Sequence, residues 1–462
     1  MEFTELGDYP IRSGAMTEWL PYARSPWTDD DRSVSFAHEA HLRYCAEGGR
    51  EAWLGCAFEI AGALDVPAFR SALTSWIDRH EVLRSHTSLL PGFGDTSQGG
   101  DAADYSAIRR QTVPVGGIHV GAVSHGYATD AEANAAHLQQ LFDDYASPFH
   151  WPSYIFATLE SAERDTFTVY FGADHSIIDG YSIVLIAHEL SALYREASGH
   201  GPADLVPVGS YVDFGSAERR SEVDHGTEQA ARDIWRQVFD ESGLPRFPLD
   251  IGPRSDGPQR GMSEWLLGAE ESTDFAAACR HAGVGFFAGA LACLGIAGTR
   301  MGAGGQFRAV TPVHTRNDPK WLAALGWFVG LCPVDFEVDH DDSKPGAFAS
   351  VARNAQASLN HGRPAGAVPF DRIGHTLGIP IRPRFVVSYM DVRFVPRADE
   401  WHEWRAQALR SRQYTHDVHV WINRTPQGLN LSVRYPNNDT AVAHMTEWVS
   451  ELRPLLLAAT RG

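Results

Sequence analysis

Asp174-His175-Ser176-Ile177-Ile178-Asp179-Gly180 is the stretch on which the reading of this chain turns. It follows Thr166 to Phe171, where Phe167, Val169 and Phe171 alternate with polar or small residues as in a half-buried strand. It precedes Ile183 to Tyr194, where Leu185, Ile186, Leu190, Leu193 and Tyr194 recur at helical spacing. A tight turn between a strand and a helix holds a side chain rigidly at the lip of a cleft. His175 is the side chain here whose ordinary pKa lies near neutrality, so it is suited to taking and returning a proton. Asp179 is placed either to cap the helix or to pair with a cation, and Gly180 permits close backbone approach or an unusual φ.

Outward from this stretch, helix and strand patterns mix along the whole chain. Trp53 to Ile60 reads as a strand and Val66 to His80 as an amphipathic helix with Phe69, Leu73, Trp76 and Ile77 on one face. Phe275 to Gly298 reads as one further apolar helical region. Ala309 to Val313, Cys332 to Val338, Arg384 to Met390, Val418 to Asn423 and Leu429 to Tyr435 read as strands. Pro91 to Asp104, Gly199 to Gly209 and Gly252 to Gly261 are rich in loop formers, and the second suits a join between domains. The expected fold class is α+β (an α/β sandwich), with one lobe over residues 1–218 and a second over 219–462.

Composition narrows the function. At 462 residues the chain exceeds what one core usually serves. Its formal net charge of -19 argues against a nucleic-acid partner and against attraction to anionic membranes. No apolar run reaches the roughly 18 residues of a membrane span, and five cysteines without a CxxC pair fit a reduced, cytoplasmic protein. There is no phosphate-binding glycine loop, no GxSxG elbow and no HExxH. His38 and His41 stand three apart rather than four, and His416 and His419, in an apparent strand, would face opposite sides, so no metal site is expected.

The quoted stretch resembles the HHxxxDG signature of the condensation-domain superfamily. That superfamily includes peptide condensation domains, polyketide-associated acyltransferases and chloramphenicol-acetyltransferase-like enzymes. Further elements follow in the family's order. Ser35-Phe36-Ala37-His38 with Leu42-Arg43-Tyr44 resembles the first motif, and Arg79-His80-Glu81-Val82-Leu83-Arg84 resembles RHExLR. Tyr211-Val212-Asp213-Phe214 resembles YxDF, and Thr311-Pro312-Val313 with Arg316 resembles the strand and arginine before the fifth motif. Leu325-Gly326-Trp327-Phe328-Val329 resembles IGxFVN, and Val368-Pro369-Phe370-Asp371 resembles VPFE. The chain departs from the pattern twice, with Asp174 in place of the first histidine and Gly330 in place of asparagine.

The resemblance implies two chloramphenicol-acetyltransferase-like lobes in a V-shaped pseudo-dimer, with the active site in a tunnel between them. It implies His175 as general base, helped by the Gly180 N–H at the developing oxyanion. Asp174 would support the site, and Asp179 would pair with Arg316 from the other lobe. Trp327, Ser388, Tyr389 and Trp421 would line the tunnel. No cofactor would be bound permanently, the donor bringing its own phosphopantetheine arm. The implied function is that of a free-standing condensation enzyme of natural-product biosynthesis, similar to those of enediyne pathways. It would move an acyl or aminoacyl group from a carrier-protein thioester to a small-molecule alcohol, or to an amine, with the departures at Asp174 and Gly330 favouring the ester. Arg382 and Arg384 are the expected docking arginines for the carrier. The alternatives are a polyketide-associated acyltransferase acting on a glycolipid or lipid alcohol, and a non-catalytic platform homologue, which retention of His175, Asp179 and Gly180 disfavours.

Overall fold

The computed structural model describes residues 1–90, 108–128, 130–161, 163–221, 223–239, 243–339, 346–378 and 382–461. The Pro91 to Asp104 loop therefore lies outside the described residues. Two large sheets organise the chain. The first has seven strands in the order Glu2–Glu5, Gln407–Arg410, Trp53–Ala61, Thr166–Asp174, Tyr154–Ser161, Gly14–Ala23, Ile118–Ala128. The second has six, in the order Arg260–Gly268, Gly428–Tyr435, Val418–Thr425, Phe385–Asp391, Gln306–His314, Val329–Glu337. The fold is α+β with helices packed on both sheets.

The alternation in Thr166–Asp174 decides which helices cover which face. Phe167, Val169 and Phe171 point to one side, where they pack with Phe69, Leu73, Trp76 and Ile77 of helix Val66–Arg79 and Ile183, Ile186 and Leu190 of helix Gly180–Ala197. Tyr170 points to the other and meets Leu138, Leu141 and Phe142 of helix Ala131–Tyr145. Trp76, Phe156 and Phe171 have no solvent exposure. Side chains of this size each contribute about 1.5–3 kcal/mol on full burial. The apolar helical region Phe275 to Gly298 falls in two helices, Ala269–His281 and Phe286–Arg300, bent by 95° at the break between them. Gly283, at φ 77°, turns the chain between them, a conformation glycine adopts without steric penalty. No single helix among the described residues is long and apolar enough to cross a membrane. All five cysteines are free and buried.

The two halves are not cleanly separated at residue 218. Gln407–Arg410 from the second half lies in the first sheet, parallel to Glu2–Glu5 and antiparallel to Trp53–Ala61. The family-like motifs far from His175 serve this scaffold. Arg79 and His80 bond the buried Glu189 at 3.0 and 2.7 Å, tying the two covering helices together. Glu81 pairs with Arg32, which also reaches Asp213 at 2.7 Å. Tyr211 donates to the Trp327 carbonyl at 3.2 Å and accepts from Ser35 at 2.7 Å, so three separate motifs meet at one phenol.

Candidate active site

Asp179 both caps helix Gly180–Ala197 and pairs with the cation, so neither sequence reading excludes the other. Its Oδ1 accepts from the Ser182 N–H at 2.7 Å and from the Ser182 hydroxyl at 2.8 Å. Arg316 donates to Oδ1 at 2.9 Å and to Oδ2 at 3.1 Å, and the Phe328 N–H donates to Oδ2 at 3.1 Å. Arg316 also donates to the Trp321 and Ala324 carbonyls at 2.7 and 2.6 Å and lies over the Phe328 ring. This buried pair therefore clamps the loop before Val329–Glu337 onto the first residues of the helix. Asp179 and Arg316 are each 4% exposed. Removing one partner of such a pair typically costs about 3–5 kcal/mol.

The clamp sets Trp327 against His175. The two rings stack at 3.9 Å between centroids with 27° between planes. The His175 backbone N–H is held by the Ala52 carbonyl at 2.9 Å. Burial, followed by the charge of His41, pushes the His175 imidazole down to about 4. It is therefore neutral at neutral pH and able to accept a proton.

Asp174 is not an isolated substitution. It is fully buried, contributes no surface to the cavity, and faces His41 Nε2 at 3.0 Å. Its other oxygen accepts from the Ser176 N–H at 2.8 Å. The pair raises the His41 imidazole, against desolvation, to about 10, so His41 is a cation at neutral pH. The His41 ring also meets the edge of Trp327 at 5.7 Å. Sequence reasoning missed His41 because a contact between residues 133 positions apart leaves no local pattern. His38, which belongs to the resembling motif, lies instead against Thr87 at 3.3 Å and away from the cavity.

His175, Asp179 and Gly180 open onto one cavity of about 2960 Å³ between the two sheets. Trp327, Ser388, Tyr389 and Trp421 all line it, as do His41, Arg316 and Arg382. Arg384 does not line it. Gly180 begins the helix with an ordinary φ, and a methyl group there would meet Met390 at 3.4 Å, an ordinary contact. Its lack of a side chain is therefore not a demand of the backbone and instead leaves the helix N-terminus bare toward the cavity. Gly330 has a steric cause: a Cβ there would lie 2.1 Å from the Gly366 carbonyl oxygen. The asparagine usual in the family does not fit this close backbone approach. His416 precedes the strand that begins at Val418, and His419 lies within it on the cavity wall. Outside the cavity, Glu18, His125 and His137 bring their ligand-type atoms within 4.8 Å of one another, a grouping the sequence did not suggest. His137 Nε2 bonds a Glu18 oxygen at 2.6 Å, and His125 Nε2 lies 2.9 Å from the same oxygen.

The sequence profile of the Condensation domain family matches residues 47–462. Acyltransferase PapA3 of Mycobacterium tuberculosis is 25% identical over 470 residues, covering 97% of this chain and 94% of its own length. Trehalose-2-sulfate acyltransferase PapA2 of the same species is 25% identical over 417 residues, covering 88% of this chain and 84% of its own. The solved structure of PapA2 acyl transferase superposes with a TM-score of 0.83 over all of both chains at 23% identity, a likeness of fold.

Proposed function

This chain belongs to the condensation-domain family and is an acyl-transferring enzyme, and from that premise we propose that it acylates a hydroxyl of a sugar or lipid alcohol from a thioester donor. The order of the two catalytic expectations is thereby reversed. The curated relatives are polyketide-associated acyltransferases, one of them named for a sulfated sugar, and they favour the second expectation over carrier-dependent natural-product condensation. The single observation that carries the chemistry is a neutral His175 stacked on Trp327 at the wall of a large cavity.

In this reading the donor brings its phosphopantetheine arm, and Nε2 of His175 takes the acceptor's hydroxyl proton as the oxygen attacks the thioester carbonyl. The C–O bond forms, and collapse of the tetrahedral intermediate breaks the C–S bond. The imidazolium then returns the proton to the departing thiolate. Proton transfer of this kind supplies about 10²–10⁴-fold, and orientation of both substrates contributes as much or more. The Gly180 N–H, at the positive end of an 18-residue helix, is the candidate donor to the oxyanion. The charge on His41 assists by keeping His175 unprotonated. Asp179 and Arg316 act by holding Trp327 in place.

The test offers one acyl group as coenzyme A and as carrier-protein thioesters against matched diol and amino-alcohol acceptors. Ester formation from either donor is expected. A clear preference for the amine would overturn the hydroxyl assignment.

A further inference from the structure

Part of the cavity wall is built by Gln407–Arg410, Val418–Thr425 and Gly428–Tyr435. In a chain of net charge -19 this wall is basic. Arg410, Arg434, Arg382 and His419 all line it. Trp421 lies among them, with the Arg410 guanidinium 4.3 Å and the Arg434 guanidinium 5.4 Å from its ring centre. The His419 ring meets Trp421 at 5.7 Å.

The two buried cations among them, Arg410 and Arg434, are under-compensated. The Arg410 side chain is 2% exposed, and its nearest carboxylate, Glu5, is 3.5 Å away on one terminal nitrogen only. Its Nε and other terminal nitrogen are buried without a hydrogen-bond partner among the described residues. Among the described residues Arg434 donates to the Ser411 carbonyl at 3.2 Å, while its Nε has no hydrogen-bond partner. Arg382 is better served: it donates to the Tyr44 hydroxyl, lies over the Tyr44 ring and stands 3.8 Å from Asp417. His419 Nε2 is buried without a hydrogen-bond partner among the described residues, and burial with the three arginines holds the ring neutral, at about 3. Buried donors of this kind normally have partners, and an unpaired buried charge is expensive. The fork of a guanidinium matches the oxygens of a tetrahedral anion.

We propose that Arg410, Arg434 and His419, gathered around Trp421, bind a tetrahedral oxyanion, the sulfate or phosphate ester group of one of the two substrates. The inference rests on the proposed acyl transfer only in taking this cavity as the substrate site. The group has two possible sources, an acidic substituent on the acceptor or the phosphate of the donor's pantetheine arm.

The test is equilibrium binding by titration calorimetry on the full chain, which needs no turnover. A sulfated disaccharide is compared with its unsulfated parent, and 4′-phosphopantetheine with pantetheine. In at least one pair the charged member is expected to bind at least tenfold more tightly, and the pair that responds identifies the source. Arg434→Gln should remove most of that difference. Arg382→Gln, at a half-exposed position with little risk to folding, should reduce it by a smaller factor. Equal binding within both pairs, or an undiminished difference in both variants, would overturn the proposal. Ester formation without charge discrimination would sink this inference alone. Charge discrimination without any ester formation would instead sink the acyl-transfer reading.

Discussion

His41 Nε2 lies 3.0 Å from Oδ2 of the fully buried Asp174, the residue one position before the proposed base. Asp174 stands where the resembling family usually carries its first histidine, and the imidazole is instead supplied by helix Phe36–Ala46. The two charges cancel in the interior, as buried charges must. The cation nevertheless remains close enough to disfavour protonation of His175.

The first consequence is a low acid limb. The proposed base works only when neutral and the His175 imidazole is held at about 4, so kcat/KM should stay nearly level from pH 8 to about 5 and fall below that. In His41→Gln the limb should move up toward the ordinary histidine value. A wild-type midpoint near 6.5 would contradict the arrangement.

Stability should respond in the opposite pH range. The folded-state pKa of His41 is raised to about 10 from 6.5, so its contribution is complete below about pH 6.5 and lost as pH rises toward 10. Thermal melting of the wild type should therefore decline across this range. His41→Gln should melt lower at pH 7, reflecting about 3–5 kcal/mol for a buried carboxylate left unpaired, with a shallower decline.

Asp179 and Arg316 should behave as a coupled unit. Their two hydrogen bonds, at 2.9 and 3.1 Å, predict an interaction energy well above about 0.5 kcal/mol in a double-mutant cycle on chemical denaturation. Asp179→Asn should be milder than Asp179→Ala because its side-chain oxygen still accepts from Ser182. Simple additivity would show that the two residues fail independently.

Replacing His175 by alanine should lower single-turnover transfer by at least about 10²-fold and leave circular dichroism unchanged. The ring packs on Trp327 at the cavity surface, so the loss in stability should not exceed about 1.5 kcal/mol. Activity within about tenfold of wild type would remove it from the base role.

At Gly330, alanine should destabilise the chain strongly, because its Cβ would meet the Gly366 carbonyl oxygen at 2.1 Å and the backbone must move. Gly180→Ala should fold normally, since the nearest atom is 3.4 Å away, yet lower the rate by placing a methyl at the helix N-terminus. Denaturation midpoints of the two variants, measured side by side, check the contrast.

The elements around the proposed site, and the place of His175 in the turn between two of them, were legible along the chain alone. Phe167, Val169 and Phe171 alternate because a strand with helices packed on it must, and the turn after them carries His175 wherever the rest of the chain goes. Asp179 and Arg316 were also legible, but only through resemblance, since 137 residues separate them. Tertiary structure alone decided the rest. It delivered His41 to Asp174, lent Gln407–Arg410 to the first sheet, and bent one apolar helical region at the break between its two helices. It also turned scattered arginines into a basic wall around Trp421. Each of these depends on long-range contact or on the position of a single glycine, and the periodicity from which elements are read reports only on near neighbours along the chain.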